Sequence, residues 1–228
     1  MKNLKILLAS LLCVFLYTSA HAGSYGIGVA GNMMSVSAEG TETDPNTTGT
    51  ENSQTSATAG NEVIYGSIFA EYNFGASEQF TLGVDYIPGT ADVNRKDLSR
   101  TDAEDANGGN DSDDGTRTAN AEISDHYTVY GEWVMGAGVY AKVGFTQVDI
   151  ETNDTSTSAS TTGNYPDVEL DAWTYGLGMK SMVGDNMFMK IEGTYTDYDT
   201  FSATSTTSNT VSADLDAIKA TLALGYKF

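Results

Sequence analysis

The chain has 228 residues, 11 of them basic and 31 acidic, for a formal net charge of −20. That balance excludes nucleic acid as a partner, because phosphate binding needs clustered Lys and Arg, and it leaves cations as the electrostatic partners. The one cysteine, Cys13, lies in an N-terminal apolar run, so residues 23–228 can hold neither a disulfide nor a thiolate metal site.

Residues 1–22 have the plan of a cleaved signal peptide. Lys2 and Lys5 precede the apolar run Ile6 to Leu16, and Ala20-His21-Ala22 forms an A-x-A cleavage site. The run is too short for a membrane-spanning helix, which needs about 20 apolar residues. Leu12 stands before Cys13, where lipoprotein processing wants a small residue, so cleavage is expected after Ala22. Residues 23–228 then form one domain, and loss of the two lysines takes the net charge to −22.

From there, apolar residues recur at every second position, the period of a β-strand. The first strand carries Tyr25, Ile27 and Val29; the second Ile64, Ile68, Ala70, Tyr72 and Phe74; the third Phe80, Leu82, Val84 and Tyr86. The fourth carries Tyr127, Val129 and Trp133; the fifth Val139, Ala141, Val143 and Phe145. Trp173, Tyr175, Leu177 and Met179 mark the sixth, and Met189, Ile191 and Tyr195 the seventh. Ile218, Ala220, Leu222, Leu224, Tyr226 and Phe228 mark the eighth. Long polar connections (38–61, 88–122, 151–168, 199–214) alternate with tight turns (75–79, 134–138, 181–186). Val148 and Ile150 continue the inward phase of the fifth strand and suggest an extension above the membrane, or a bulge.

The expected fold is an all-β, eight-stranded, antiparallel, up-and-down transmembrane β-barrel with four long extracellular loops and three short periplasmic turns. In hydrocarbon an unpaired sheet edge is too costly to persist, which requires closure. A soluble β-sandwich would also alternate, but with charged outward positions and large apolar inward ones. Here the second face is mostly Gly, Ala, Ser and Thr with a few charges, as suits a cramped lumen. Aromatic girdles are expected, with Tyr25, Phe74, Phe80, Trp133, Phe188, Tyr226 and Phe228 on the periplasmic side. Tyr86, Tyr127, Trp173 and Tyr195 would form the outer ring.

Leu222, Leu224, Tyr226 and Phe228 close the chain as alternating apolar residues ending on Phe, similar to the signal read by the barrel-assembly machinery. With the signal peptide and eight strands, residues 23–228 resemble the small eight-stranded outer-membrane barrel superfamily: protein A transmembrane domains, OmpX-like proteins and opacity-type adhesins. The resemblance is architectural and carries over no adhesin residues. It implies an integral protein of the bacterial outer membrane, with membrane lipids and lipopolysaccharide as neighbours and a monomeric state.

Eight charges fall in the inward phase: Glu71, Asp85, Glu132 and Glu192 against Lys142, Lys180, Lys190 and Lys219. Buried charges need partners, and an eight-stranded interior is just filled by side chains. A salt-bridge plug is therefore expected, and the resemblance implies the same kind of network. The four outer segments, Glu39 to Glu62, Asp92 to Glu122, Asp149 to Asp171 and Asp197 to Asp216, carry net charges of −5, −5, −6 and −4. Divalent cations could bridge them to each other or to lipopolysaccharide; otherwise they form a solvated repulsive surface. Asn110-Asp111-Ser112-Asp113-Asp114-Gly115 resembles the start of a calcium loop, but Ala121 stands where the twelfth-position acid belongs. No metal site or cofactor is expected.

His126, beside Asp125, is the one histidine after residue 22 and has no nucleophile motif near it. The reading is a non-enzymatic outer-membrane barrel serving envelope integrity, surface interaction or adhesion. The alternatives are a narrow cation-preferring porin and a lipid-modifying enzyme using His126.

Overall fold

A computed structural model of the chain describes residues 23–44, 53–89, 91–92, 98–102, 115–156, 165–204 and 210–228. The signal peptide with Ala20 and Ala22, and residues 110–114 of the calcium-loop-like stretch, lie outside the described residues. The elements in chain order are β1 (Ser24–Asp44), β2 (Ser53–Phe74), a 3-10 turn (Ala76–Glu78), β3 (Phe80–Tyr86), β4 (Ala91–Asp92) and β5 (Leu98–Asp102). Then follow β6 (Gly115–Gly136), β7 (Val139–Ser156), β8 (Val168–Met182), β9 (Met187–Tyr198), β10 (Phe201–Thr204) and β11 (Thr210–Lys227).

Every pairing is antiparallel, and the sheet runs β1-β2-β3-β6-β7-β8-β9-β11. Strand β1 then pairs with β11 from Gly26↔Lys227 to Thr43↔Thr210, which closes an eight-stranded barrel. The short strands are additions at the long-hairpin end: β4 and β5 pair with β6, and β10 with β11. Strand β3 stops at Tyr86, two residues before Pro88, which cannot donate to a ladder.

The loop boundaries read from the sequence need correction. Residues 38–61 are mostly paired strand, in register from Ala38↔Ala59 up to Asp44↔Ser53. Likewise β6 and β7 stay paired up to Arg117↔Ser156. Thr, Ser and Ala give no apolar stripe for the eye to follow. Once the hairpin below fixes the register, however, their backbone groups continue the ladder without one.

The wall sorts cleanly. Strand β9 alternates exposed and buried residues from Met187 to Asp197. Large apolar side chains face outward around the circumference, with Ile27 53%, Leu177 62%, Ile191 57% and Leu222 57% exposed. A continuous greasy belt of this extent has no place in water, and in an outer membrane it is the lipid-facing surface. At the short-turn end an aromatic ladder crosses three strands: Tyr25 to Tyr72 at 5.0 Å, Tyr72 to Phe74 and Phe74 to Phe80 at 5.7 Å.

Two girdle assignments are overturned. Phe188 is fully buried in the lumen, because it shares the parity of Lys190 and Glu192 on β9. Tyr127 is only 5% exposed. A bulge after Ser124, where Asp125 takes a φ of 48°, bends the strand beside it, and its hydroxyl donates to Gln147 on β7.

The lumen as candidate functional site

The inward phase of the strands fills the barrel with charge, hydroxyls and aromatic rings. Lys190 of β9 is the hub. Its ammonium reaches Glu71 of β2 at 3.3 Å and also contacts Glu132 of β6. Those two carboxylates flank β3 on the far wall, each three strands away from β9, so Lys190 reaches across the interior. Lys180 of β8 contacts Glu71 and donates to Asn73 Oδ1 at 3.0 Å. Lys142 of β7 pairs with Glu192 at 2.9 Å, and the Tyr140 hydroxyl donates to the same carboxylate at 2.9 Å.

Four rings complete the filling: Phe69, Tyr130, Tyr140 and Phe188, all buried. They lie against the ammonium groups, with Lys142 3.9 Å from the Tyr130 centroid, Lys180 4.3 Å from Phe188 and Lys190 4.9 Å from Tyr140. Glycines opposite make room. A Cβ on Gly83 would sit 2.4 Å from the Tyr130 ring, and one on Gly225 2.2 Å from the Phe188 ring. The small residues of the inward phase are thus sockets for large ones on neighbouring strands. The parity of Phe69, Tyr130 and Tyr140 signalled these rings in the sequence; their pairing with glycines needed the register.

Six of the eight inward charges join this network: Glu71, Glu132, Glu192, Lys142, Lys180 and Lys190. Asp85 and Lys219 do not. Asp85 ends a hydrogen-bond chain across four strands, in which Thr221 donates to Asn32 at 2.7 Å, Asn32 to Ser67 at 3.0 Å, and Ser67 to Asp85 at 3.2 Å. On the other wall, hydroxyls of Thr128, Thr146, Thr174 and Thr196 form a ladder with 2.8 Å steps. Between network and hydroxyls a cavity of about 20 Å³ remains, bounded in part by Asp85, Tyr130, Lys142, Lys190 and Glu192. That is room for about one water molecule.

Towards the long hairpins the lining turns apolar. Val148, Ile150 and Leu170 are buried together, with Val168, Tyr198, Phe201 and Leu215 packed against them. Val148 and Ile150 therefore belong to a strand extension that keeps its inward phase.

Outside the spanning region two carboxylates are perturbed in opposite directions. Asp149 lies beyond the Phe145–Trp173 pair and directly opposite Glu169. Burial first, then the charges of Glu169 and Asp125, push its carboxyl above the usual range. At the short turns, Glu78 is held below that range: burial opposes ionisation, but hydrogen bonds from Lys227 and Ser24 outweigh it. Among the described residues no three His, Cys, Asp or Glu converge as a metal site.

The terminal residues Leu222, Leu224, Tyr226 and Phe228 face outward, 44–65% exposed, and the Phe228 amide donates to the Tyr25 carbonyl at 2.8 Å. His126 turns into the lumen, and its buried Nδ1 has no hydrogen-bond partner among the described residues.

No protein-family model matches the chain, and no curated protein does. Among solved structures it is similar to the outer membrane protein OprG from Pseudomonas aeruginosa, at 11% identity and a TM-score of 0.50, over 91% of this chain and 97% of that one. The outer membrane protease OmpT from Escherichia coli matches at 11% identity and a TM-score of 0.45, over 90% and 97% of the two chains. Ail, the attachment invasion locus protein of Yersinia pestis, matches at 10% identity and a TM-score of 0.41, over 88% and 99%. At such identities the likeness is one of fold.

Proposed function

We propose that this outer-membrane barrel is a non-enzymatic wall element that acts through its exposed hairpins, in envelope integrity or surface interaction, and that its lumen is a seal. The observation that carries this reading is the position of Lys190, whose contacts with Glu71 and Glu132 cross the interior from wall to wall. Rings stacked on the ammonium groups fill the space between. An interior of eight strands leaves little beyond this for permeation. A hydrated ion passing through would have to break contacts between buried charges, each costly to leave uncompensated.

The buried, lumen-facing His126 supports a non-enzymatic reading. A general base must come within hydrogen-bond reach of its proton, and this ring is turned away from substrates carried by lipid or by the outer solution. The acidic rim around Asp149, Glu151, Glu169 and Asp171 suits divalent cations shared with lipopolysaccharide phosphates. Planar-bilayer recording of the refolded protein tests the seal. The expected trace is flat apart from rare, brief events. Steady nanosiemens-scale openings with cation preference would favour the porin reading instead.

A further inference from the structure

Lys219 stands out from the lumen charges. It projects inward from β11, half-buried, and among the described residues it has neither an ion pair nor a hydrogen bond. Its direct cross-strand neighbour on β9 is Thr194. The Thr194 hydroxyl is buried, the residue being 4% exposed, and has no hydrogen-bond partner among the described residues. Residues so paired hold their Cβ atoms about 4.5–5.5 Å apart on one face of the sheet, so hydroxyl and ammonium share one patch of the lumen.

A third buried group lies within reach of the same charge. His126, 7% exposed on β6, is close enough for its ring to feel the Lys219 charge, and its Nδ1 is the other buried polar atom without a partner. Buried polar atoms in folded proteins are nearly always satisfied. Two orphans beside a cation without a carboxylate therefore need a common explanation. Each of the three groups can donate: the ammonium always, the hydroxyl by rotation, and the imidazole through an N–H on Nδ1.

The acids nearby are spoken for. Glu192 holds Lys142 and the Tyr140 hydroxyl, and Asp85 takes the Ser67 hydroxyl at 3.2 Å. Both feel Lys219 electrostatically, yet neither lies within ion-pair distance of it.

We propose that Lys219, Thr194 and His126 form a binding site for one small inorganic monovalent anion of the halide class, held in the lumen on the long-hairpin side of the salt-bridge network. Donors without partners, two of them on directly paired residues, suit a compact acceptor. The other cation whose charge reaches Lys219, Lys142, is engaged by Glu192, so one uncompensated positive charge is left for the ligand, which suits a monovalent anion. The site is independent of the seal, since Lys219 takes no part in it.

Bromide tests this directly, because it replaces chloride and scatters X-rays anomalously. Crystals of the refolded barrel grown in sodium bromide are expected to show an anomalous peak within hydrogen-bond distance of both Lys219 Nζ and Thr194 Oγ1. Water alone at that position, or an ammonium swung onto Asp85, would overturn the proposal. In solution, a ligand that binds only the folded state raises Tm with its concentration. At constant ionic strength, exchange of gluconate for bromide is expected to raise Tm in the wild type and in K227M, whose lysine lies at the short turns, and to have no effect in K219M. T194V, which keeps the ammonium, is expected to need several-fold more bromide for the same shift. An equal bromide effect in wild type and T194V, or none in wild type, counts against the site even if K219M fails to fold.

Discussion

Replacing Lys190 with Met is expected to cost the barrel about 3–5 kcal/mol, the typical penalty for breaking a buried ion pair from one side. Lys190 is the one ion-pair partner of Glu132 among the described residues, and the Glu132 side chain is 1% exposed. Its removal strands that carboxylate, while Glu71 keeps Lys180. Adding Glu132→Gln to Lys190→Met should therefore recover a large share of the loss. Lys227→Met provides the contrast. Lys227 pairs with Glu78 at the short turns, with side chains 28% and 35% exposed, and a pair so open to water contributes no more than about 1 kcal/mol. Urea unfolding in detergent micelles, followed by the gel-mobility difference between folded and unfolded barrel, measures all three. A Lys190→Met loss no larger than that of Lys227→Met would mean the network is not the interior's structural centre.

Filling the sockets under the lumen rings should be comparably damaging. Gly225→Val would place a Cβ 2.2 Å from the ring of Phe188, which is fully buried. Overpacking a closed interior costs roughly 1–3 kcal/mol and sometimes more. Phe188→Leu in the same chain should relieve part of it. Gly193→Val is the matched control on the same sheet. Its Cβ would point outward and meet nothing within 4 Å, so a β-branched residue there is expected to be neutral or mildly stabilising. Similar losses at the two glycines would show that glycine in these strands serves backbone geometry and not the rings.

The wall was legible in the sequence because a strand in lipid obeys a strict two-residue rule. Ile27, Leu177, Ile191 and Leu222 announce their outward side without any tertiary information. The eight inward charges were legible by the same parity, but their partners were not. Lys190 meets Glu71 and Glu132 across the lumen, and that depends on how closure sets strands β2, β6 and β9 around one space. Asp85 and Lys219 show the limit of counting: equal numbers of acids and bases did not pair one to one, because Lys190 and Glu71 each take two partners. Phe188 was assigned by its nearness to a turn, whereas parity with Lys190 put it inside. Beyond Val148 and Ile150, which hinted at a longer β7, the upper hairpins carried no apolar alternation, so the full extent of β1, β2, β6 and β7 followed from register.

The placement of the two tryptophans tests the inside-out wall most directly. Trp133 is 50% and Trp173 53% exposed, both on the outward face of the barrel. In lipid bilayers containing brominated acyl chains, fluorescence from each single-tryptophan variant should be strongly quenched, while aqueous acrylamide has little effect. Strong acrylamide quenching with no response to brominated lipid at both positions would place that face in water and contradict the membrane barrel.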